Sequence, residues 1–213
     1  MKQEHIVLAG ATGLCGQYVM HLLLAHQQCK QLTILVRKRI EVSHPKLQQV
    51  VCDYTSFNPT MIPNCDRVFC CLGTTIKVAG SQEVFEAVDR HYPVAIAKAA
   101  FERGAKAYNI ITAISSSPNS KVFYSRVKGD CEQDLQNIGF QSVLILRPSM
   151  LLGPRSEKRF AEHIGQILMD KLSFLIPARY KAVRAEWVAE VMVREGLKDQ
   201  VGVRIIESEG IRG

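Results

Sequence analysis

The feature that most constrains this chain is the segment IVLAGATGLCG at residues 6–16, where Gly10, Gly13 and Gly16 separate an apolar β-like run from a helical one. A strand, turn and helix in this succession need glycine for three reasons. The chain turns tightly, its backbone comes close to a ligand, and the helix packs close to the strand. The helix then starts with unpaired amides that favour an anion. The Gly-x-x-Gly-x-x-Gly spacing is one residue longer in its first gap than the common dinucleotide fingerprint. Lying at the opening of the first βαβ unit, it points to a pyrophosphate held by Gly10, Thr12, Gly13, Leu14, Cys15 and Gly16.

The rest of the chain repeats that alternation. Strands are expected at 5–9, 32–36, 49–52, 67–71, 107–113 and 142–147, with a weaker one at 202–206. Helical stretches are expected near 14–26, 82–103 and 125–137, the second with Val84, Phe85, Val88, Tyr92, Ala95, Ile96 and Ala99 on one apolar face and Gly104 at its end. Short β runs alternating with helices force a parallel sheet covered on both sides. The fold class is therefore α/β: a single Rossmann-type doubly wound parallel sheet with helices on both faces and a small C-terminal substrate-side extension. At about 150 residues per domain, the 213 residues make one NAD(P)-binding domain over 1–213, and 150–213 wall the substrate side.

Composition narrows the class further. An apolar fraction of 47% with dispersed glycine and proline excludes a collagen-like or disordered chain. The apolar run after Ile6 is broken by glycines and meets His21 before the roughly 18 uncharged residues of a membrane helix, so neither a signal peptide nor a span is expected. Seven cysteines without a Cys-x-x-Cys spacing point to a reducing compartment, and a cytoplasmic location is expected. The net charge of +7 favours small anionic ligands. Its basic residues are dispersed, which disfavours nucleic acid. The six histidines show no metal-ligand spacing, and no metal is expected. A monomer or homodimer is expected.

The second strand ends in Leu35-Val36 and runs into Arg37-Lys38-Arg39, where an NAD-selective site would offer the ribose an acid. A guanidinium there binds a 2′-phosphate through paired hydrogen bonds, so NADP is expected over NAD, with Arg37 as its reader. The alternative is a solvated basic turn. Asp53, after the third strand, either accepts from the adenine amino group or caps the turn into Thr55-Ser56.

Several further motifs occur in order: CCLGTT at 70–75, VDRHY at 88–92, FYSRVKG at 123–129 and LRPSMLLGPR at 146–155. With GATGLCG they resemble the atypical short-chain dehydrogenase/reductases, and within them the HIV Tat-interacting oxidoreductase branch and its bacterial nucleoside-diphosphate-sugar epimerase-like relatives. The likeness runs from about residue 5 to 190. It implies a Rossmann fold binding NADP, with Leu72, Gly73 and Thr74 near the nicotinamide-side ribose and Pro148 beside the nicotinamide ring. It also makes Tyr124 and Lys128 the catalytic pair: the phenol exchanges a proton with the substrate oxygen, and the ammonium holds the ribose and supports the phenolate. Their spacing of four puts them on one helix face.

The chain departs from that pattern at the usual serine. The slot nearest the site is Ala113, which has no hydroxyl. Thr112 precedes it and faces the other way on a regular strand, whereas Ser115 lies two beyond and shares its face. Either would be the compensating hydroxyl, unless 115–117 is only a loop before Pro118. Asp89 stands where relatives carry an asparagine that supports a proton relay, or is simply a polar residue bonded to its surroundings. Arg155, Lys158 and Arg159 either meet an anionic substrate or begin a solvated helix.

The expected function is an NADP-dependent oxidoreductase acting on a small carbonyl or alcohol. Its competitor is a non-catalytic NADP(H)-binding regulatory protein that senses redox state, a reading that the missing serine strengthens. A sugar-nucleotide epimerase is a weaker third reading, because 213 residues leave little room for a large substrate domain.

Overall fold

The computed structural model describes residues 2–153 and 177–211. Seven strands form one parallel sheet: β1 (Glu4–Ala9), β2 (Cys29–Val36), β3 (Leu47–Val51), β4 (Arg67–Cys70), β5 (Ala107–Ile111), β6 (Ser142–Arg147) and β9 (Gly202–Glu207). Their order across the sheet is β3-β2-β1-β4-β5-β6-β9, so the chain winds outward in both directions from β1 and β4. The order reverses there, and in open parallel sheets the ligand crevice lies outside the strand ends at that point. A second, two-stranded parallel ladder joins β7 (Leu151–Leu152) to β8 (Val183–Arg184).

Both sheet faces are covered, and the alternation of side chains along β1 shows how. Ile6 and Leu8 enter a core shared with α1 (Gly16–Ala25), through Val19, Met20 and Leu23, and with α6 (Ala185–Gly196), through Val188 and Met192. Val7 and Ala9 enter the opposite core with Ile96, Ala97 and Ala100 of α4 (Tyr92–Glu102) and Cys131 and Leu135 of α5 (Phe123–Gln136). Strands buried on both faces lack the apolar-polar alternation of a half-exposed sheet, which explains the continuous runs such as ILV and VLIL. The expected Rossmann-type doubly wound sheet is the fold observed.

The stretch expected as one helix over 82–103 is three pieces: α3 (Gln82–Glu86), a π-helical turn (Ala87–His91) and α4, preceded by a short α2 (Ile76–Ala79). Pro93 is the local cause. It has no N–H to donate to the carbonyl four residues back, that of Asp89, and its ring would press on that carbonyl; the wider π turn relieves both. The expected apolar face also divides. Phe85, Ile96 and Ala99 are buried, whereas Val84, Val88 and Tyr92 line an open cleft. Gly104 ends α4 as expected, at φ +92°. The short α7 (Ser208–Ile211) follows β9 and anchors Ile211 in the core. Among the described residues no helix is long and apolar enough to cross a membrane.

Candidate active site

The three glycines do different work. Gly10 takes φ +81°, and a Cβ there would lie 2.6 Å from the Cys71 carbonyl group, so the β1 loop and the β4 loop meet backbone to backbone. At Gly16 a Cβ would come within 1.9 Å of the Gly10 carbonyl oxygen, which makes it the close contact between α1 and the turn. Gly13 is looser, its nearest atom being the Gly10 carbonyl oxygen at 3.2 Å, and it faces the cleft. Helix α1 has no side-chain cap at Cys15 and no acid in its first turn, so its first amides meet no competing negative group from their own helix. That is the arrangement a pyrophosphate requires. Cys15 itself is buried, which pushes its thiol up to about 12. Leu14 packs over Gly153, where a Cβ would collide with its side chain.

A cleft of about 710 Å³ opens from this loop across the strand ends. Gly10, Thr12, Gly13, Arg37, Asp53, Leu72, Gly73 and Thr74 of the expected cofactor set line it, with Tyr54, Val84 and Tyr92. Tyr54 and Tyr92 stack at 5.5 Å, and the Tyr54 hydroxyl donates to the Leu35 carbonyl, which fixes the wall beside Asp53. Arg37, Lys38 and Arg39 are exposed. Asp53 Oδ1 accepts from the Thr55 amide at 2.9 Å and from its hydroxyl at 2.8 Å, so it caps the Tyr54–Ser56 turn. Those bonds hold its carboxyl below the usual aspartate value.

Leu14, Cys15, Gly16, Lys128 and Pro148 of the expected cofactor set are not among the residues lining the cleft, and neither is Tyr124; Tyr124 and Lys128 stand on α5, behind the wall that Gly73 forms. Tyr124 is half-buried in its first turn, and its ring lies 5.3 Å from that of buried Phe85. One turn on, Lys128 is buried, and its Nζ lies 2.7 Å from Asp89 Oδ1. Asp89 Oδ2 accepts from the Thr74 amide at 2.9 Å. Gly73 covers the pair: a Cβ there would lie 3.5 Å from Asp89 Oδ1 and 3.7 Å from Lys128 Nζ. The β4 loop, the π turn and α5 therefore meet at one buried ion pair beneath the cleft wall.

The hydroxyls near Ala113 are committed or exposed. Thr112 is buried and donates to Glu132 Oε1 at 2.6 Å; Arg147 also holds Glu132, at 2.6 Å, and reaches Glu207 at 2.9 Å. Its hydroxyl thus belongs to a polar cluster tying β5, α5, β6 and β9 together. Ser116 donates to the Ala113 carbonyl at 2.6 Å. Ser115 is exposed and takes φ +62°, the left-handed region unusual for serine. Pro148 is buried, and its carbonyl accepts from the Ile114 amide at 2.9 Å, which joins this loop to the end of β6. Arg155, Lys158 and Arg159 lie outside the described residues.

Sequence reasoning missed the partner of Lys128 and the anchoring of Thr74, although a proline four residues after Asp89 was a visible signal of a disturbed helix there. The cluster around Glu132 had no local signal, because its members are spread from residue 112 to 207.

No family model matches the chain. The FMP52 protein of Eremothecium gossypii is 34% identical over 214 residues, covering 96% of this chain and 94% of the relative. HTATIP2 of Rattus norvegicus is 28% identical, covering 81% and 73%. Among solved structures, a UDP-N-acetylglucosamine 4-epimerase from Methanobrevibacter ruminantium M1 superposes with a TM-score of 0.71 at 16% identity, over 97% of this chain and 77% of that one. A short chain dehydrogenase family protein from Francisella tularensis gives 0.69 at 15% identity, over 98% of both chains. The cytoplasmic expectation is overturned, since the FMP52 relatives from Eremothecium gossypii, Coccidioides immitis and Aspergillus terreus are named mitochondrial. Reducing-compartment chemistry, which cysteine usage reports, does not distinguish one reducing compartment from another. On its overlap with the Eremothecium gossypii protein the chain belongs to the family of the FMP52 proteins, and its similarity to HTATIP2 and to the folds of these solved structures agrees with the expected likeness to the atypical short-chain dehydrogenase/reductases.

Proposed function

We propose that the protein holds NADP(H) in the cleft and reduces or oxidises a small carbonyl or alcohol with Tyr124 as acid and base. The observation that carries this reading is the junction of an uncapped α1 and its glycine turn with a cleft whose far wall covers buried Lys128, one helical turn from Tyr124. The residues present fit the cofactor. Gly10, Thr12 and Gly13 would receive the pyrophosphate, and Arg37 the 2′-phosphate. Leu72, Gly73 and Thr74 would follow the nicotinamide-side ribose, and Pro148 would flank the nicotinamide ring. When bound, NADPH supplies a hydride. Tyr124 would pass its phenolic proton to the substrate oxygen, or take it back in the reverse direction, while Lys128 would hold the ribose and support the phenolate. Several solved neighbours, among them MoeE5 and the Bordetella bronchiseptica enzyme WbmH, are complexes with NAD, which agrees with a nicotinamide cofactor in a fold of this kind.

A second reading has its own observation. Ala113 offers no hydroxyl, and those of Thr112 and Ser116 are engaged by Glu132 and the Ala113 carbonyl. With exposed Ser115 as the remaining candidate, a substrate carbonyl is polarised mainly by one phenol, a loss worth about a hundredfold in rate. A protein that binds NADP(H) and signals its redox state without turnover would tolerate that loss. NADPH oxidation over a panel of ketones, aldehydes and quinones separates the two. The enzyme reading expects slow turnover abolished by Tyr124→Phe; no turnover with intact NADPH binding favours the regulatory reading, and equal turnover by Tyr124→Phe removes Tyr124 as the acid.

A further inference from the structure

Lys128 is an expensive residue to bury, and the structure shows what compensates it. Its side chain is 5% exposed and that of Asp89 is fully covered, with 2.7 Å between Nζ and Oδ1. The other ionisable groups facing the ammonium are Tyr124 and Cys131 from α5 and Cys70 from β4. Burial drives both thiols up, so they stay neutral. Asp89 is thus the carboxylate of the group, and its second oxygen holds the Thr74 amide of the cofactor wall. The π turn that displaces the helix around Pro93 is what carries Asp89 to this junction.

We propose that Asp89 is a positioning residue: its carboxylate keeps Lys128 charged and in place while pinning Gly73-Thr74, so that the ribose side of the cleft is formed before the cofactor arrives. The inference rests on the reading of the cleft as the NADP(H) site. Burial on its own would drive the lysine down; the Asp89 carboxylate, with smaller contributions from Tyr124 and Cys131, outweighs it and holds the ammonium above the ordinary lysine value. The lysine therefore keeps its proton throughout the neutral and mildly alkaline range. Asparagine at 89 would still accept from the Thr74 amide and fill the same volume, but would leave a buried ammonium without a counter-charge. Such a group sheds its proton as pH rises, and with it its hold on the ribose.

The test is NADPH affinity of the full chain between pH 7 and 9, read beside nitrogen NMR of lysine-labelled protein without cofactor, the Lys128 signal assigned with Lys128→Met. Wild-type affinity should change by less than about twofold, while Asp89→Asn should lose about tenfold between the two ends. The Lys128 amine should stay protonated in the first and deprotonate within that range in the second. A pH-independent Asp89→Asn with a protonated lysine would overturn the proposal. Absence of NADPH binding in the wild type would instead fail the cofactor reading, with the lysine signal still deciding Asp89. If Asp89→Asn does not fold, the double variant Asp89→Asn with Lys128→Met should, because it buries no lone charge; an unfolded double variant would show that Asp89 serves packing and overturn the proposal.

Discussion

The glycine turn and the α5 junction are made in different ways. At the glycine turn, residues 10–16 and the first turn of α1 present backbone, left open by the absence of side chains at Gly10, Gly13 and Gly16. At the α5 junction, Tyr124, Lys128, Asp89 and Thr74 come from three separate segments and are held by side-chain contacts. A backbone site is specified by spacing along the chain; a side-chain site is specified by the packing of elements far apart in sequence. The first leaves no room for an added atom at Gly10 and Gly16, and the second tolerates exchange of residues so long as charge and volume stay balanced.

The largest expected effect comes at the glycine turn. Gly16→Ala would bring its Cβ against the Gly10 carbonyl at 1.9 Å. Backbone must shift, at about 3 kcal/mol, or roughly 10 °C in melting temperature for a chain of this size. Gly13→Ala has only the 3.2 Å contact to accommodate. Circular dichroism should find it nearly as stable as wild type, with NADPH affinity reduced about tenfold. Equal melting temperatures for the two variants would break the distinction between a packing glycine and a ligand-facing one.

The next effect tests whether one exposed side chain can alter the backbone-built site. Arg37→Asp should reverse or abolish the preference for NADPH, a change of about 1.5 to 3 kcal/mol or tenfold to a hundredfold, read by calorimetry with both cofactors. An unchanged preference would return Arg37 to a solvated basic turn. The smallest effect belongs to the unfilled serine position: Ala113→Ser should raise carbonyl reduction by about tenfold, through a hydroxyl that strengthens its bond in the transition state. No gain, with NADPH affinity intact, would move the account toward the regulatory reading.

The same contrast explains what the sequence made legible. The parallel sheet could be read because strands covered on both faces leave continuous apolar runs, and β6 falls on the expected residues, Ser142–Arg147. That Thr112 faces away from the Ala113 side followed from strand alternation, but its buried partner Glu132 did not, being 20 residues away on another element. The segment around Asp89 misled because apolar residues at spacings of three and four describe a regular helix and cannot register an inserted residue. Val84, Val88 and Tyr92 satisfied the same pattern while facing a cleft, since periodicity identifies a shared face and not what covers it.

NADP(H) in the cleft beside the glycine turn, its 2′-phosphate read by Arg37, is what the proposed function requires first. Isothermal titration of the wild-type chain with NADPH and with NADH at pH 7 addresses it most directly. A single site per chain and at least about tenfold tighter binding of NADPH are expected. Equal affinities, or no heat with either cofactor from a folded protein, would contradict it.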